Sequence, residues 1–314
     1  MDNKRHSRFT HTVIWLRCLI ALIISTDMPA AIPAETTISV YIITTPDSNY
    51  QKRVANTLIE KLSTRGIDIS NIPVSELDKL TPDGNDLFIT FAGPSSDRVK
   101  QMYDDNPQLD ITYNRTHLEP STGHKQSALI LAQSACRQIT FIRKLVPAWK
   151  SAGIITSKYS SKQIEDIRQC AAQQGITILT YHVANEKELI QILETAVVQN
   201  DVLLALADTV VYNSHTVKNI LLTAYRHRKP VIGYSNSLVK AGAVAAIYTS
   251  AEDTSAEAAE IIQEYISAKG CFNRSIYTPS AFTVSINRQV ARALEIDLDS
   301  NLDFNDDLDL LEIR

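Results

Sequence analysis

The feature of this chain that most constrains its fold is an alternation of short apolar runs with longer amphipathic ones, beginning near residue 38. Short runs rich in β-branched and aromatic residues, such as residues 38–44, are typical of strands. Residues 50–65 instead repeat apolar side chains at helical spacing and end before Gly66. Strands and helices that take turns along a chain form parallel sheets with helices on both faces. The sequence therefore predicts an α/β fold.

The alternation continues to residue 286. The predicted strands cover residues 38–44, 86–91, 127–132, 152–156, 176–183, 202–207, 231–233, 243–249 and 281–286. The predicted helices cover residues 50–65, a segment from about 97, a segment up to 144, 163–173, 186–198, a segment capped by Ser214, a short segment after Tyr234, and 254–268. Residues 202–207 are almost wholly apolar, which predicts a strand that is buried on both faces.

The length of 314 residues exceeds that of an average domain, so two lobes are expected. Pro147 and the polar stretch around Lys150 separate two runs of alternating elements and mark the predicted passage between the lobes. We predict a first lobe from residues 35–147 together with about 246–290, a second lobe from residues 148–245, and a C-terminal tail from residues 291–314.

The N-terminal segment has the composition of an export signal. Basic residues (Lys4, Arg5 and Arg8) precede an apolar run over residues 13–24, and small residues follow near Ala34. This order predicts a signal peptide over residues 1–34 and a soluble protein exported to the periplasm. A signal anchor remains the alternative, although the run is short for a membrane span.

Three cysteines, Cys136, Cys170 and Cys271, remain after removal of the predicted signal. An odd number cannot form a complete set of disulfides within one chain. Cys170 falls on the apolar face of a predicted helix and is expected to be a buried small hydrophobe. A bridge between Cys136 and Cys271 stays open as a possibility.

The composition and motifs argue against several functional classes. The net charge of −4 and pI near 6.0 are atypical of a nucleic-acid-binding protein. Glycine-rich phosphate loops, zinc-ligand spacings and the G-x-S-x-G motif are all missing from the sequence. The acidic tail starts like a calcium loop but has Leu302 where that loop needs glycine. We therefore expect neither an enzyme nor a bound cofactor or metal.

Polar side chains follow the predicted strands at their carboxyl ends, where open parallel sheets form ligand clefts. The candidate ligand-binding residues are Ser95, Ser96, Gln133, Ser134, Ser157, Tyr159, Ser160, Asp208, Thr209, Tyr234 and Ser235. The pair Ser95 and Ser96 lies at a helix start that favours a carboxylate, and Asp208 is expected to meet a ligand amine or hydroxyl. Each residue could instead serve as a helix cap, a turn residue or, for the tyrosines, part of the core.

Four stretches of the second half carry a family resemblance: residues 201–209 (DVLLALADT), 229–235 (KPVIGYS), 241–248 (AGAVAAIY) and 282–291 (FTVSINRQVA). In this order they resemble the ABC-transporter substrate-binding proteins of the tryptophan/tyrosine-binding type. The resemblance implies the type I periplasmic-binding-protein fold, with two Rossmann-like lobes joined by hinge strands and closing on a ligand. The chain departs from the family at residues 133–137, where family members usually have a loop rich in glycine and asparagine.

The leading hypothesis is an exported, monomeric solute-binding protein that captures a small organic ligand, such as an amino acid or a related compound, for an ABC permease. A sensor of the same fold that signals to a membrane partner is the alternative. Neither hypothesis includes a nucleic-acid partner.

Overall fold

The computed structural model describes residues 38–113 and 125–298 of the chain. The predicted signal peptide (1–34) and the last part of the predicted tail (299–314) lie outside these residues. Within them, none of the helices combines the length and apolar character that crossing a bilayer requires.

The described residues form two six-stranded sheets. The first has the order β11-β5-β4-β3-β1-β2 and is parallel throughout. The second has the order β12-β10-β9-β8-β6-β7 and is parallel except for β12, which pairs antiparallel to β10. The strands are β1 Val40–Thr44, β2 Ile69–Pro73, β3 Leu87–Phe91, β4 Gln108–Thr112, β5 Gln126–Ile130, β6 Ser151–Thr156, β7 Thr177–His182, β8 Val202–Leu204, β9 Val231–Gly233, β10 Ala245–Tyr248, β11 Ile276–Tyr277 and β12 Thr283–Ile286. The predicted two-lobed α/β fold is confirmed, with one antiparallel edge strand added.

Helices follow most strands, as the sequence pattern predicts. They are α1 Asn49–Ser63, α2 Pro94–Met102, α3 Ala135–Leu145, α4 Ile164–Gln173, α5 Glu186–Val198, α6 Val217–Arg226, α7 Asn236–Ala241, α8 Ala251–Ser267 and α9 Arg288–Ala293. Short 3-10 helices cover Val74–Lys79 and Ser161–Gln163. The predicted α5 and β9 match the observed bounds, whereas α6 is capped at Thr216 rather than at Ser214.

Each lobe has its own apolar core. In the first lobe, Leu58 of α1 and Ile262 of α8 pack together against the sheet that contains Ile42. In the second lobe, α3 and α4 cover one sheet face, while α5 and α6 cover the other. Both sheets are thus covered on both faces, which explains why strands such as β3 and β8 are fully buried.

The passages between the lobes differ from the predicted boundaries. Helix α3, expected in the first lobe, packs with the second through Ile139 and Ile142, and strands β10 and β12 belong to the second sheet. Of the late elements, α8 and β11 return to the first lobe. The chain therefore passes between lobes near residues 131–135, 248–251 and 277–283. The polar stretch around Lys150 is a helix-to-strand connection within the second lobe.

Strands β2, β4 and β11 were not predicted from the sequence. Strand β2 is a half-buried edge strand with Ser70 and Asn71 in its middle, and β11 has only two residues. Strand β4 is fully buried but carries Gln108 and Asp110. These polar residues interrupt the apolar run by which a buried strand is recognised in a sequence. Internal hydrogen bonds satisfy both side chains, so a central strand can hold them.

The cysteine pairing also differs from expectation. Cys136 of α3 and Cys170 of α4 form a disulfide with a Cα–Cα distance of 5.0 Å, and Cys271 is free and exposed. Cys170 is buried as predicted, but it is covalently bonded, and the possibility of a Cys136–Cys271 bridge is wrong. The reason is tertiary: α3 and α4 pack side by side in the second lobe, whereas Cys271 lies in the first.

Candidate ligand-binding cleft

A cavity of about 940 Å³ separates the two lobes at the carboxyl ends of their strands. The wall from the first lobe consists of segments that follow β1, β3 and β4: Ser48 to Gln51 with Arg53, Phe91 to Pro94, and Ile111 to Tyr113. Gly93 adopts φ of +99°, which lets the backbone turn sharply from β3 into α2 without a side chain.

The opposite wall comes from loops that follow β8 and β9 of the second lobe. It consists of Ala207 to Thr209, Tyr212, Tyr234 to Ser237, and Lys240. The passage from β10 to α8, Tyr248 to Ala251, closes the back of the cavity. Both lobes therefore contribute to one site, as the ends of parallel strands would place it.

Three tyrosines, Tyr113, Tyr212 and Tyr234, form a group that we call the tyrosine cluster. The ring centroids of Tyr113 and Tyr234 are 5.8 Å apart, and those of Tyr212 and Tyr234 are 6.1 Å apart, both edge to face. Burial raises the pKa of Tyr113 to about 12, and burial with the nearby Asp208 raises the pKa of Tyr212 and of Tyr234. All three hydroxyls are therefore neutral near pH 7.

The hydroxyl of Tyr212 has no hydrogen-bond partner among the described residues, although its oxygen is buried. The side chain lines the cavity and its residue is only 7% exposed. Buried polar groups in native proteins are nearly always satisfied, so an orphaned hydroxyl in a cleft wall favours a ligand partner.

Asp208 lies in the wall, but its carboxylate is used inside the second lobe. It accepts hydrogen bonds from the backbone N–H and hydroxyl of Ser157 at 2.8 Å, and from the hydroxyl of Ser160 at 2.6 Å. The N–H groups of Val210 and Val211 also donate to it. Asp208 therefore positions the loops after β6 and β8, and these internal bonds occupy the carboxylate that the sequence predicted to meet a ligand amine or hydroxyl.

The other candidates after β6 serve the same arrangement. Ser157 and Ser160 are buried beneath Asp208, and Tyr159 is half-buried with Lys158 over its ring at 5.0 Å. These residues do not line the cavity, whereas Thr209, Tyr234 and Ser235 do.

Ser95 and Ser96 are buried inside the first lobe rather than presented to the cleft. The hydroxyl of Ser95 donates to the carbonyl of Phe91, and that of Ser96 donates to Asp110 at 2.9 Å. Asp110 also accepts from Gln108 and Thr90. The two serines thus fasten α2 to the sheet, and Gly93 and Pro94 form the wall in their place.

Gln133 and Ser134 lie at the passages between the lobes. The amide of Gln133 donates to the hydroxyl of Thr249 at 2.8 Å and accepts from the guanidinium of Arg137 at 2.6 Å. Arg137, itself buried, donates to the carbonyl of Ser280. Gln133 thereby ties all three passages together, and Ser134 caps α3.

The cleft wall carries two cationic side chains and one carboxylate, that of Asp208. Arg53 of α1 and Lys240 of α7 line opposite sides and have no acidic partner in the described part of the chain. Helices α1, α2 and α8 also begin at the cavity, so the positive ends of their dipoles face it. This combination favours a ligand with negative charge.

Comparison with known families decides the kind of protein. Residues 129–306, more than half of the chain, match the family described as ABC transporter substrate binding protein. The chain belongs to this family. A search of the curated proteins found no significant match.

Solved structures share the fold of this substrate-binding protein at low sequence identity. The ABC domain from Streptococcus pneumonia in complex with L-Trp is 15% identical, with a TM-score of 0.65 over 84% of this chain and 96% of that one. A ligand-free, open substrate-binding protein with adhesive properties from Clostridium difficile is 17% identical, with a TM-score of 0.65 over 84% and 97%. A periplasmic ribose ABC transporter from Conexibacter woesei is 12% identical, with a TM-score of 0.55 over 83% and 96%.

Several wall residues of this substrate-binding protein were not among the sequence candidates. Tyr113 follows β4, a strand that the sequence did not reveal, so nothing marked it as a strand-end residue. Tyr212 lies just beyond Asp208 in the same loop, Arg53 lies in the second turn of α1, and Lys240 lies in the last turn of α7. Tyr212, Arg53 and Lys240 would have been identified if every residue of each loop and of the helix after it had been considered, rather than only the first polar residues.

No group of three or more His, Cys, Asp or Glu side chains suited to a metal ion occurs among residues 38–113 and 125–298.

Proposed function

We propose that this protein is an exported solute-binding protein that captures a small organic ligand between its lobes and delivers it to an ABC importer. The observation that carries the proposal is a cavity of about 940 Å³ whose walls come from both lobes. Its size is within the range of small-molecule sites, and its lining combines aromatic rings with polar side chains that can orient a ligand. The protein binds its ligand without transforming it.

Closure of the lobes is the proposed mechanism. A ligand that touches both walls binds the closed state more tightly than the open one and shifts the equilibrium toward closure. Tyr113 and Tyr234 meet from opposite lobes and mark the surfaces that approach each other. The bonds of Gln133 across the three passages keep the lobes in register as they move.

Export to the periplasm is supported by two independent features. The basic and apolar order of the first 34 residues is that of a secretory signal. The Cys136–Cys170 disulfide is typical of proteins that mature in an oxidising compartment. We propose that the mature protein is a periplasmic monomer that docks on a membrane permease.

The ligand is proposed to be an amino acid or a related compound. The similar structure from Streptococcus pneumonia holds L-Trp, and the aromatic wall here suits a ligand with a flat apolar body.

A thermal-shift screen on refolded, ligand-stripped protein tests the proposal, with amino acids, their deaminated analogues, nucleosides, sugars and small peptides. A ligand at one hundred times its Kd should add about 2.7 kcal/mol to the free energy of unfolding. Any confirmed hit should also shrink the particle in solution scattering, because the lobes close. If no compound shifts the melting temperature, capture of these classes of solute is contradicted, and a partner-binding sensor becomes the better hypothesis.

A further inference from the structure

We infer that the cleft selects an aromatic or similarly apolar carboxylate that lacks an ammonium group over the amino acid with the same side chain. The inference rests on the proposed function, since it names the ligand class of the same cavity. This ligand class is favoured because some polar groups of the cavity wall already have hydrogen-bond partners within the described part of the protein, whereas others do not.

The two charged side chains with open capacity are both cations. Arg53 reaches the cavity from the first lobe and Lys240 from the second. Both are exposed at its edge and neither has an ion pair with a described acidic residue. A carboxylate between them would be attracted from both lobes, whereas an ammonium would be repelled by both.

The neutral groups with open capacity are hydroxyls and the amide side chains of Asn49 and Asn236. The tyrosine cluster keeps its protons near pH 7, and the Tyr212 hydroxyl is buried without a described partner. A neutral tyrosine donates well to a carboxylate oxygen, and a bond to a charged acceptor is stronger than one to a neutral acceptor. The cluster thus adds hydroxyl donors to the cavity wall, and the negative charge of Asp208 acts on two of them, Tyr212 and Tyr234.

Asp208 is the one carboxylate among the described wall residues, and both of its oxygens already accept hydrogen bonds from the protein. Both oxygens of Asp208 accept from Ser157, and further bonds come from Ser160 and the following backbone. An α-ammonium group therefore finds no free carboxylate among the described wall residues, only ring faces and neutral amide and hydroxyl oxygens such as those of Asn49 and Asn236. Loss of water from that ammonium would be poorly repaid.

The apolar part of the ligand is matched by aromatic rings of the first lobe. Phe91 and Tyr50 meet edge to face at 6.5 Å in the cavity wall, and Leu131 lies beside the same cavity. If the ligand's ring stacked there, the ligand's carboxylate could lie between Arg53 of the first lobe and Lys240 of the second. An aryl carboxylate of the length of phenylpropionate fits this division into an apolar and a charged end.

Isothermal titration calorimetry with three matched probes tests the inference: 3-phenylpropionate, L-phenylalanine and phenethylamine, each alongside the corresponding indole compound. We expect at least one carboxylate to bind about tenfold more tightly than its amino acid, and the amines not to bind. Equal or tighter binding of both amino acids would overturn the inference while leaving solute capture intact. Binding of only the amines would have the same meaning, whereas no binding of any of these probes would overturn the inference and leave the proposed function to the thermal-shift screen.

Substitutions locate the selectivity in the named groups. Arg53→Gln and Lys240→Gln should each weaken carboxylate binding about three- to fivefold, more at low salt, because both side chains are exposed. Lys52→Gln and Lys218→Gln are matched controls, since these exposed lysines lie outside the cavity wall. If the wall variants bind the carboxylate as the controls do, the cations play no part and the inference fails.

Tyr212→Phe separates ligand recognition from folding. Removing a buried hydroxyl that has no protein partner should leave the melting temperature unchanged or raise it. The same change should weaken carboxylate binding about tenfold, because a bond to a charged group is lost. A lower melting temperature with unchanged affinity would show that the hydroxyl serves the fold, and would overturn its assigned role.

Discussion

The ring of Tyr113, in the first lobe, meets the ring of Tyr234, in the second, edge to face with centroids 5.8 Å apart. Each tyrosine follows the end of a central strand, so the contact joins the two sheets across the cleft. It couples the two lobes directly.

A double-mutant cycle of Tyr113→Ala and Tyr234→Ala should therefore show a coupling free energy of about 0.5–1.5 kcal/mol in urea unfolding. The pair Tyr113→Ala and Tyr225→Ala is the control, because Tyr225 is exposed on α6 and is not part of the tyrosine cluster. Strict additivity of the first pair would mean that the rings do not stabilise the lobe arrangement.

Loss of the Asp208 carboxylate should destabilise the protein rather than only weaken ligand binding. Asp208→Ala leaves Ser157 and Ser160 without their buried acceptor, which should cost about 3 kcal/mol of unfolding free energy. Asp166→Ala, on the exposed side of α4, should cost less than about 1 kcal/mol. Chemical denaturation measures both, and similar small costs would contradict a buried positioning role for Asp208.

The Cys136–Cys170 disulfide should stabilise the second lobe by limiting the unfolded chain. Replacing both cysteines by alanine should lower the unfolding free energy by about 2–4 kcal/mol, and reduction of the wild-type protein should reproduce the loss. Cys271→Ser should change it little, because that cysteine is free and exposed. Alkylation with mass spectrometry before and after reduction would reveal any other pairing.

The hydrogen bonds of Gln133 predict that this residue holds the hinge. Gln133→Ala removes the acceptor of Arg137 and the donor to Thr249, and should cost about 1–3 kcal/mol of unfolding free energy. Gln191→Ala, on the exposed face of α5, is the matched control and should cost less than about 0.5 kcal/mol. A cost no greater than that of the control would show that the passages are held by other contacts.

The raised pKa of Tyr113 predicts a loss of stability in alkali. The folded-state pKa of about 12 exceeds the ordinary value of 10.0, so the folded protein holds this proton more tightly than the unfolded chain does. The stabilisation of the folded state that follows from this difference in pKa is complete below about pH 10 and is lost as the pH rises to about 12. Tyr113→Phe should flatten this part of the pH dependence of the unfolding free energy, whereas Tyr225→Phe should not. An unchanged slope in the Tyr113 variant would contradict the burial of that hydroxyl.

The sequence by itself determined the α/β class, most strands and helices, and the family. These depend on local periodicity and on ordered short motifs: the helix over α5 and the strand β9 need only neighbouring side chains to be recognised. Among the cleft residues, Thr209, Tyr234 and Ser235 were found because they follow recognisable strands.

Only the tertiary structure decided which polar residues face the cleft and which lobe each segment joins. Ser96 and Asp208 look alike in sequence as strand-end polar residues, but partners distant in sequence turn both inward. The Cys136–Cys170 bond likewise depends on the packing of α3 against α4. Burial and hydrogen bonding between distant segments are set by three-dimensional packing, and local sequence carries no record of which partner a polar side chain will meet.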